Sequence, residues 1–158
     1  MEWNKCCDLV RELIPQSSII RMDFKVREIF TIRAMVHSVF YNLLSNAIKY
    51  KSPKRDLIIT GGTHSENGMI RIDFEDNGIG IDLNKYKGSL FKLFKRFHTH
   101  VEGRGLGLFL IKSQIESLNG TIHVSSKVDQ GTHFIILIPE VWAPDGNEIH
   151  QASDMHRS

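Results

Sequence analysis

The chain has 158 residues, of which 41% are apolar and 24% charged, and its formal net charge is +2. This is the profile of one globular domain with its own core. No basic stripe interleaved with aromatics argues for nucleic acid, and no apolar run approaches the roughly 18 residues of a membrane span. The N-terminal Met-Glu-Trp-Asn-Lys-Cys-Cys lacks the basic and apolar regions of a signal peptide. Cys6 and Cys7 are adjacent, which makes them a poor pair for a structural disulfide, and no Cys/His set has zinc-finger spacing. A cytoplasmic domain without membrane contact of its own is expected.

Residues 4 to 14 read as a helix closed by Pro15. Ile19–Lys25 and Arg27–Ile32 are β-rich and nearly contiguous, which predicts a hairpin. A helix follows from about Ile32 and is expected to end at Pro53. Leu57–Thr60 reads as a strand. Asn67-Gly68 turns the chain into Met69–Glu75, where Ile70, Ile72 and Phe74 alternate with Arg71, Asp73 and Glu75. Between Asp76 and Gly107 the pattern loosens. Leu108, Ile111, Ile115 and Leu118 then form a helical stripe that stops at Asn119-Gly120. Thr121–Ser126 and Thr132–Ile138 are the last two strands, turned at Asp129-Gln130-Gly131. From residue 140 the tail is polar and aperiodic, and disorder is expected there. Strands grouped as hairpins between helices imply an α+β fold, a mostly antiparallel sheet with helices on one face.

Three stretches carry candidate chemistry. At 100° per residue, Val36, Phe40, Leu43, Leu44 and Ala47 share an apolar arc, while Asn42, Asn46 and Lys49 share another with Ser38, Ser45 and, at its edge, Tyr50. Amide oxygens are hard ligands suited to Mg²⁺, and lysine is a point charge suited to phosphate. An ordinary polar outer face would look similar. Asp76-Asn77-Gly78-Ile79-Gly80 leaves a strand, and Asp76 keeps the inward parity of Phe74. A carboxylate there needs a partner, such as the exocyclic amine of a purine, and Gly78 and Gly80 permit close backbone approach. A self-capped turn is the alternative. Gly103-Arg104-Gly105-Leu106-Gly107-Leu108 feeds a helix N-terminus, which offers N–H groups and a favourable dipole to phosphate. It matches neither the Rossmann fingerprint nor a P-loop, and a flexible linker is the alternative.

Taken in this order, the stretches resemble the catalytic ATP-binding domain of sensor histidine kinases. That superfamily also holds type II topoisomerase, chaperone and mismatch-repair ATPases. The N box is Asn42-Leu43-Leu44-Ser45-Asn46-Ala47-Ile48-Lys49-Tyr50, and the first glycine box is Asp76–Ile81. The F box is Leu90–Arg96, the second glycine box is Gly103–Leu108, and the closing strand carries Gly131-Thr132-His133-Phe134. The resemblance runs from about Leu9 to Pro139 and implies a two-layer α/β sandwich of the Bergerat type over residues 1–139. It implies ATP and Mg²⁺ as cofactors. Asn46 would bind the metal with Asn42 beside it, Lys49 would reach phosphate, and Tyr50 would flank ribose and base. Asp76, helped by Thr132, would hold the adenine amine, with Gly78 and Gly80 shaping the pocket. Arg96 would approach the γ-phosphate, and Gly103, Gly105, Leu106 and Gly107 would hinge a lid. Lys92 departs from the family, which has an acidic residue there. His98 and His100 lie in a short lid at a spacing that could hold a metal but lack a third ligand.

The resemblance also bears on the reaction. Hydrolytic relatives place a glutamate one turn before the metal-binding asparagine, where this chain has Asn42, and a neutral amide cannot act as a base. Transfer of the γ-phosphoryl group to a histidine is mostly positioning and charge stabilisation. Phosphoacceptor segments of the family have an acidic residue after the histidine, and none of the eight histidines here does. The expected activity is therefore that of a histidine kinase catalytic fragment. Its partners would be a helical dimerisation and phosphoacceptor domain and, indirectly, a response regulator. A dimeric ATP hydrolase clamp and a nucleotide-binding pseudokinase are the alternatives.

Overall fold

Alternating apolar side chains along five segments build one sheet. These are β1 (Ile19–Phe24), β2 (Ile58–Glu66), β3 (Met69–Asp76), β4 (Thr121–Lys127) and β5 (Gly131–Pro139). The computed structural model describes residues 2–29, 31–86, 88–92 and 107–141. The strand order is β1-β2-β3-β5-β4, with β1 parallel to β2 and every other neighbouring pair antiparallel. The helices are α1 (Glu2–Val10), α2 (Arg33–Lys49), the short α3 (Leu83–Tyr86) and α4 (Gly107–Ser117).

One sheet face and three helices share a core. From β3 and β5 come Ile70, Ile72, Phe74, Phe134, Ile136 and Ile138, all buried. Above them lie Trp3, Cys6 and Val10 of α1, Phe40, Leu43, Leu44 and Ala47 of α2, and Ile111 and Ile115 of α4. The Trp3 ring meets Phe40 at 5.8 Å and Phe74 at 6.2 Å between centroids, which pins α1 to both α2 and the sheet. Full burial of one such side chain is worth roughly 1.5–3 kcal/mol, so the alternation fixes the strand register. A slip of one residue would bring Arg71 and Asp73 inside. As built, they face outward, where Asp73 accepts from Arg71 Nε at 2.9 Å and pairs with His133 at 2.9 Å.

The α+β architecture and the one-sided helix layer agree with the sequence reading, as does the Asn67-Gly68 turn, where both residues have positive φ. The stop of α4 is a Schellman motif. Asn119, at φ 59°, donates its N–H to Glu116 O at 3.0 Å, and Gly120 donates to Ile115 O at 2.9 Å. No disulfide joins Cys6 and Cys7, and burial pushes the Cys6 thiol up to about 11.

The predicted hairpin at residues 19–32 is wrong. β1 pairs in parallel with β2, and residues 25–29 form no strand. The reason is Thr63 of β2. Its carbonyl accepts from Lys25 N at 3.0 Å, and its hydroxyl donates to Val26 O at 2.6 Å, so the chain leaving β1 stays tied to β2. Val26, Ile29 and Ile32 then pack on the core instead of lining a strand face. The first helix ends at Val10 and continues as a 3₁₀ turn through Leu13. α2 stops at Lys49, short of Pro53, and α3 falls in a stretch read as irregular, capped by Asp82 Oδ1 on Asn84 N at 3.1 Å. β2 runs well past Thr60, because a Cβ on Gly61 would lie 2.1 Å from Asp73 O and the close backbone approach requires glycine.

Candidate functional site

The last turns of α2 bury Leu43, Leu44, Ala47 and Ile48 and so turn Asn42, Asn46 and Lys49 the other way. Lys49 is exposed, while the two asparagines are half-buried. Asn42 Nδ2 donates to Ser38 O at 2.8 Å and lies 3.3 Å from Ser38 Oγ. The same hydroxyl accepts from Gln114 Nε2 of α4 at 2.7 Å. The donor side of the Asn42 amide is thus engaged toward the preceding turn, which directs its oxygen away from Ser38. The first residue of α4 sits against Asn46: a Cβ on Gly107 would lie 3.0 Å from both the oxygen and the nitrogen of the Asn46 amide.

Tyr50 caps α2, its N–H donating to Asn46 O at 2.9 Å. Its carbonyl accepts from Ile79 N at 2.9 Å, and a Cβ on Gly78 would come within 2.4 Å of that same oxygen. Both the N-terminus of α4 and the Asp76–Gly80 turn therefore converge on residues 46–50. This is the arrangement that separate sequence boxes could only suggest. Gly80 has φ 70°, a left-handed conformation that favours glycine.

Asp76 ends β3 opposite Thr132 of β5 and Ile59 of β2, on the helix-covered side that its parity requires. Burial pushes its carboxyl up to about 6. Backbone N–H bonds from Gly78 and Thr132 oppose that rise, and the neighbouring Glu75 charge adds to it. The Gly78 N–H reaches Asp76 Oδ1 at 2.8 Å. Thr132 Oγ1 is buried and lies 2.8 Å from Ser126 Oγ, which also accepts from Ile81 N at 2.8 Å. A protein carboxylate, a buried hydroxyl and facing backbone amides make a polar end suited to a flat, amine-bearing ring.

Asn42, Asn46, Lys49, Tyr50, Asp76, Gly78, Gly80, Gly107 and Thr132 are all described. Arg96, Gly103, Gly105 and Leu106, with His98, His100 and most of the F box, lie outside the described residues, as does the tail beyond residue 141. Sequence reading placed Ser38 on the polar arc without its contact to Gln114, and missed Gln114, Ser126 and Arg55. Arg55 donates to three backbone carbonyls around the Asp76 turn. Helical spacing was the signal for Ser38, and nothing local marked the others. Among the described residues no group of three or more His, Cys, Asp or Glu could hold a metal ion. Among them, too, no helix is long and apolar enough to cross a membrane.

This geometry is that of a known class. Residues 31–141 match the model of the family described as histidine kinase-, DNA gyrase B- and HSP90-like ATPases, and the chain belongs to that family. It is 41% identical over 115 residues to the sensor protein RprX of Bacteroides fragilis. That match covers 70% of this chain and 22% of RprX, so the chain spans about a fifth of that relative's length. The fold is also that of the mycobacterial sensor histidine kinase MprB, with a TM-score of 0.76 at 18% identity over 90% of this chain and 95% of that one. Full-length ShkA in complex with AMPPNP matches with a TM-score of 0.73 at 18% identity, covering 90% of this chain and 30% of that one. At such identities these likenesses carry the fold alone. The family match and these likenesses agree: the chain has the ATPase-domain fold that sensor histidine kinases carry.

Proposed function

We propose that this domain binds ATP with Mg²⁺ and transfers the γ-phosphoryl group to a histidine on a separate helical dimerisation and phosphoacceptor domain. The observation that carries this reading is the convergence of Gly107 and the Asp76–Gly80 turn on the end of α2. Asp76 accepts the adenine amine beside Thr132, with Gly78 and Gly80 allowing the ring close to the backbone. Tyr50 flanks ribose and base. Lys49 supplies charge to the terminal phosphates, and Arg96 stabilises the transferring group. Gly103, Gly105, Leu106 and Gly107 would hinge a lid over the phosphates, and the N-terminus of α4 favours their charge.

The donor set fits Mg²⁺. Asn46 and Asn42 offer neutral, hard amide oxygens, and Mg²⁺ is held in such sites by few protein ligands together with phosphate and water. When bound, the metal would offset the negative charge of the phosphates, with Asn46 and Asn42 holding it. Asn42 stands where a hydrolytic base would be needed, and its amide nitrogen donates to Ser38, so it cannot take a proton from water. This favours transfer over hydrolysis. Residues 1–139 would form the domain, on the cytoplasmic side where ATP is supplied, within a longer sensor kinase. Its product would pass to a response regulator.

The test is radiolabel transfer in trans to a cognate helical-hairpin domain, beside steady-state phosphate release by the domain alone. Transfer to the hairpin, with very slow release and no self-labelling, is expected. Autonomous release on the order of 1 per second or faster would move the protein to the hydrolase class. Tight ATP binding without transfer to the cognate hairpin would make it a pseudokinase.

A further inference from the structure

Arg55 lies in the loop between α2 and β2. Its Nε donates to Asn77 O at 2.7 Å, and its Nη2 donates to Gly78 O at 2.8 Å and to Asp129 O at 2.6 Å. The peptide joining Asn77 to Gly78 is trans, so its C=O and N–H point in opposite directions. The C=O meets Arg55, and the N–H meets Asp76 Oδ1 at 2.8 Å. One peptide unit therefore stands between the guanidinium and the carboxylate. The next unit repeats the pattern: Gly78 C=O meets Arg55, and Ile79 N–H meets Tyr50 O at 2.9 Å.

A cation on the carbonyl side polarises an amide and strengthens its N–H as a donor. The planar fork suits the task, since one guanidinium can hold two consecutive carbonyls in fixed directions, which a lysine ammonium cannot. The neighbouring Lys54 is occupied elsewhere, with Nζ at 2.8 Å from the Asp129 carboxylate. Asn77 completes the frame, accepting from Ile58 N at 2.8 Å and donating to Asp56 O at 2.9 Å.

We propose that Arg55 is a positioning residue for purine selection: through the Asn77–Gly78 peptide it fixes Asp76 Oδ1 and so directs the carboxyl to the exocyclic amine of the ring. This rests on the adenine reading of Asp76 given above. Arg55 touches no nucleotide. It sets the direction and donor strength of the amide that orients the carboxylate that does.

The experiment is calorimetric affinity for ATP and for GTP, each with Mg²⁺, in the wild type, Arg55→Met, Arg55→Lys, Asp76→Asn and the double variant Asp76→Asn/Arg55→Met. Arg55→Met should narrow the ATP-to-GTP preference by about tenfold, the size of one oriented hydrogen bond to a charged group. Arg55→Lys, which keeps the charge but not the fork, should narrow it by about threefold. If Arg55→Met does not fold, the lysine variant decides alone. In the double variant the preference should fall no further than in Asp76→Asn, because both changes act on one contact. A wild type that binds ATP and GTP equally would defeat the adenine reading itself. If the wild type discriminates and the Arg55 variants lose thermal stability while keeping the full preference, Arg55 is a structural staple and the proposal is overturned.

Discussion

The two ends of the candidate site are built differently. At the Asp76 end, backbone amides from Gly78 and Thr132 converge on one carboxylate, and Arg55 braces the turn from behind with bonds of 2.6–2.8 Å. At the Asn46 end, Lys49 is exposed, and the described bracing is the single chain Gln114–Ser38–Asn42 together with the packing of Gly107 on the Asn46 amide. The difference matches the two tasks proposed for the ends. Telling one ring from another needs fixed directions, because a misaligned donor forfeits the discrimination. Holding phosphate and metal needs charge and oxygen within reach, and a long lysine supplies that without a rigid frame.

The most damaging change at the loosely braced end should be Asn46→Leu, which removes the oxygen proposed for Mg²⁺. It should abolish Mg²⁺-dependent transfer to the hairpin domain, while Asn46→Asp keeps part of it, and circular dichroism should show both variants folded. Intact transfer in Asn46→Leu would refute the metal role.

Asp76→Asn should weaken ATP and ADP alike, by about fivefold to a hundredfold, because an unpaired buried polar group costs about 1–3 kcal/mol. Lys49→Ala should lower the transfer rate more than the ADP affinity, because its proposed contact lies toward the terminal phosphates. Single-turnover labelling and ADP titration separate the two effects. Equal losses in rate and affinity for both variants would show that the two ends do not differ in task.

The smallest effect concerns the fold alone. The Asp76 carboxyl has its folded-state pKa raised from 3.8 to about 6 by burial. Between those values the folded state holds a proton that the unfolded state releases. This group's contribution to stability is therefore greatest below about pH 4 and falls as pH rises toward about 6. Denaturant titrations of the nucleotide-free domain should show this downward step against the opposite trend of Asp73, whose pKa is lowered, despite burial, by Arg71 and His133, and Asp76→Asn should remove it. If the wild type and Asp76→Asn share one pH profile, the carboxyl is not desolvated as described.

Periodicity and local turn chemistry were enough to read most of the architecture. The two-residue alternation of β3 and β5, the Asn67-Gly68 turn and the Asn119-Gly120 stop depend on near neighbours, and the structure keeps all of them. The polar arc of α2 was legible for the same reason, since helical spacing alone puts Asn42, Asn46 and Lys49 on one side. What only the tertiary structure decided are pairings between distant segments. Residues 19–24 are as β-prone as any hairpin strand, and their parallel match to β2 is settled by Thr63, far along the chain. The partners of Asp76 were equally hidden. Its parity pointed inward from the sequence alone, but Arg55 reaches it only through a peptide carbonyl. Backbone acceptors are the same in every residue, so no pattern of side chains announces them.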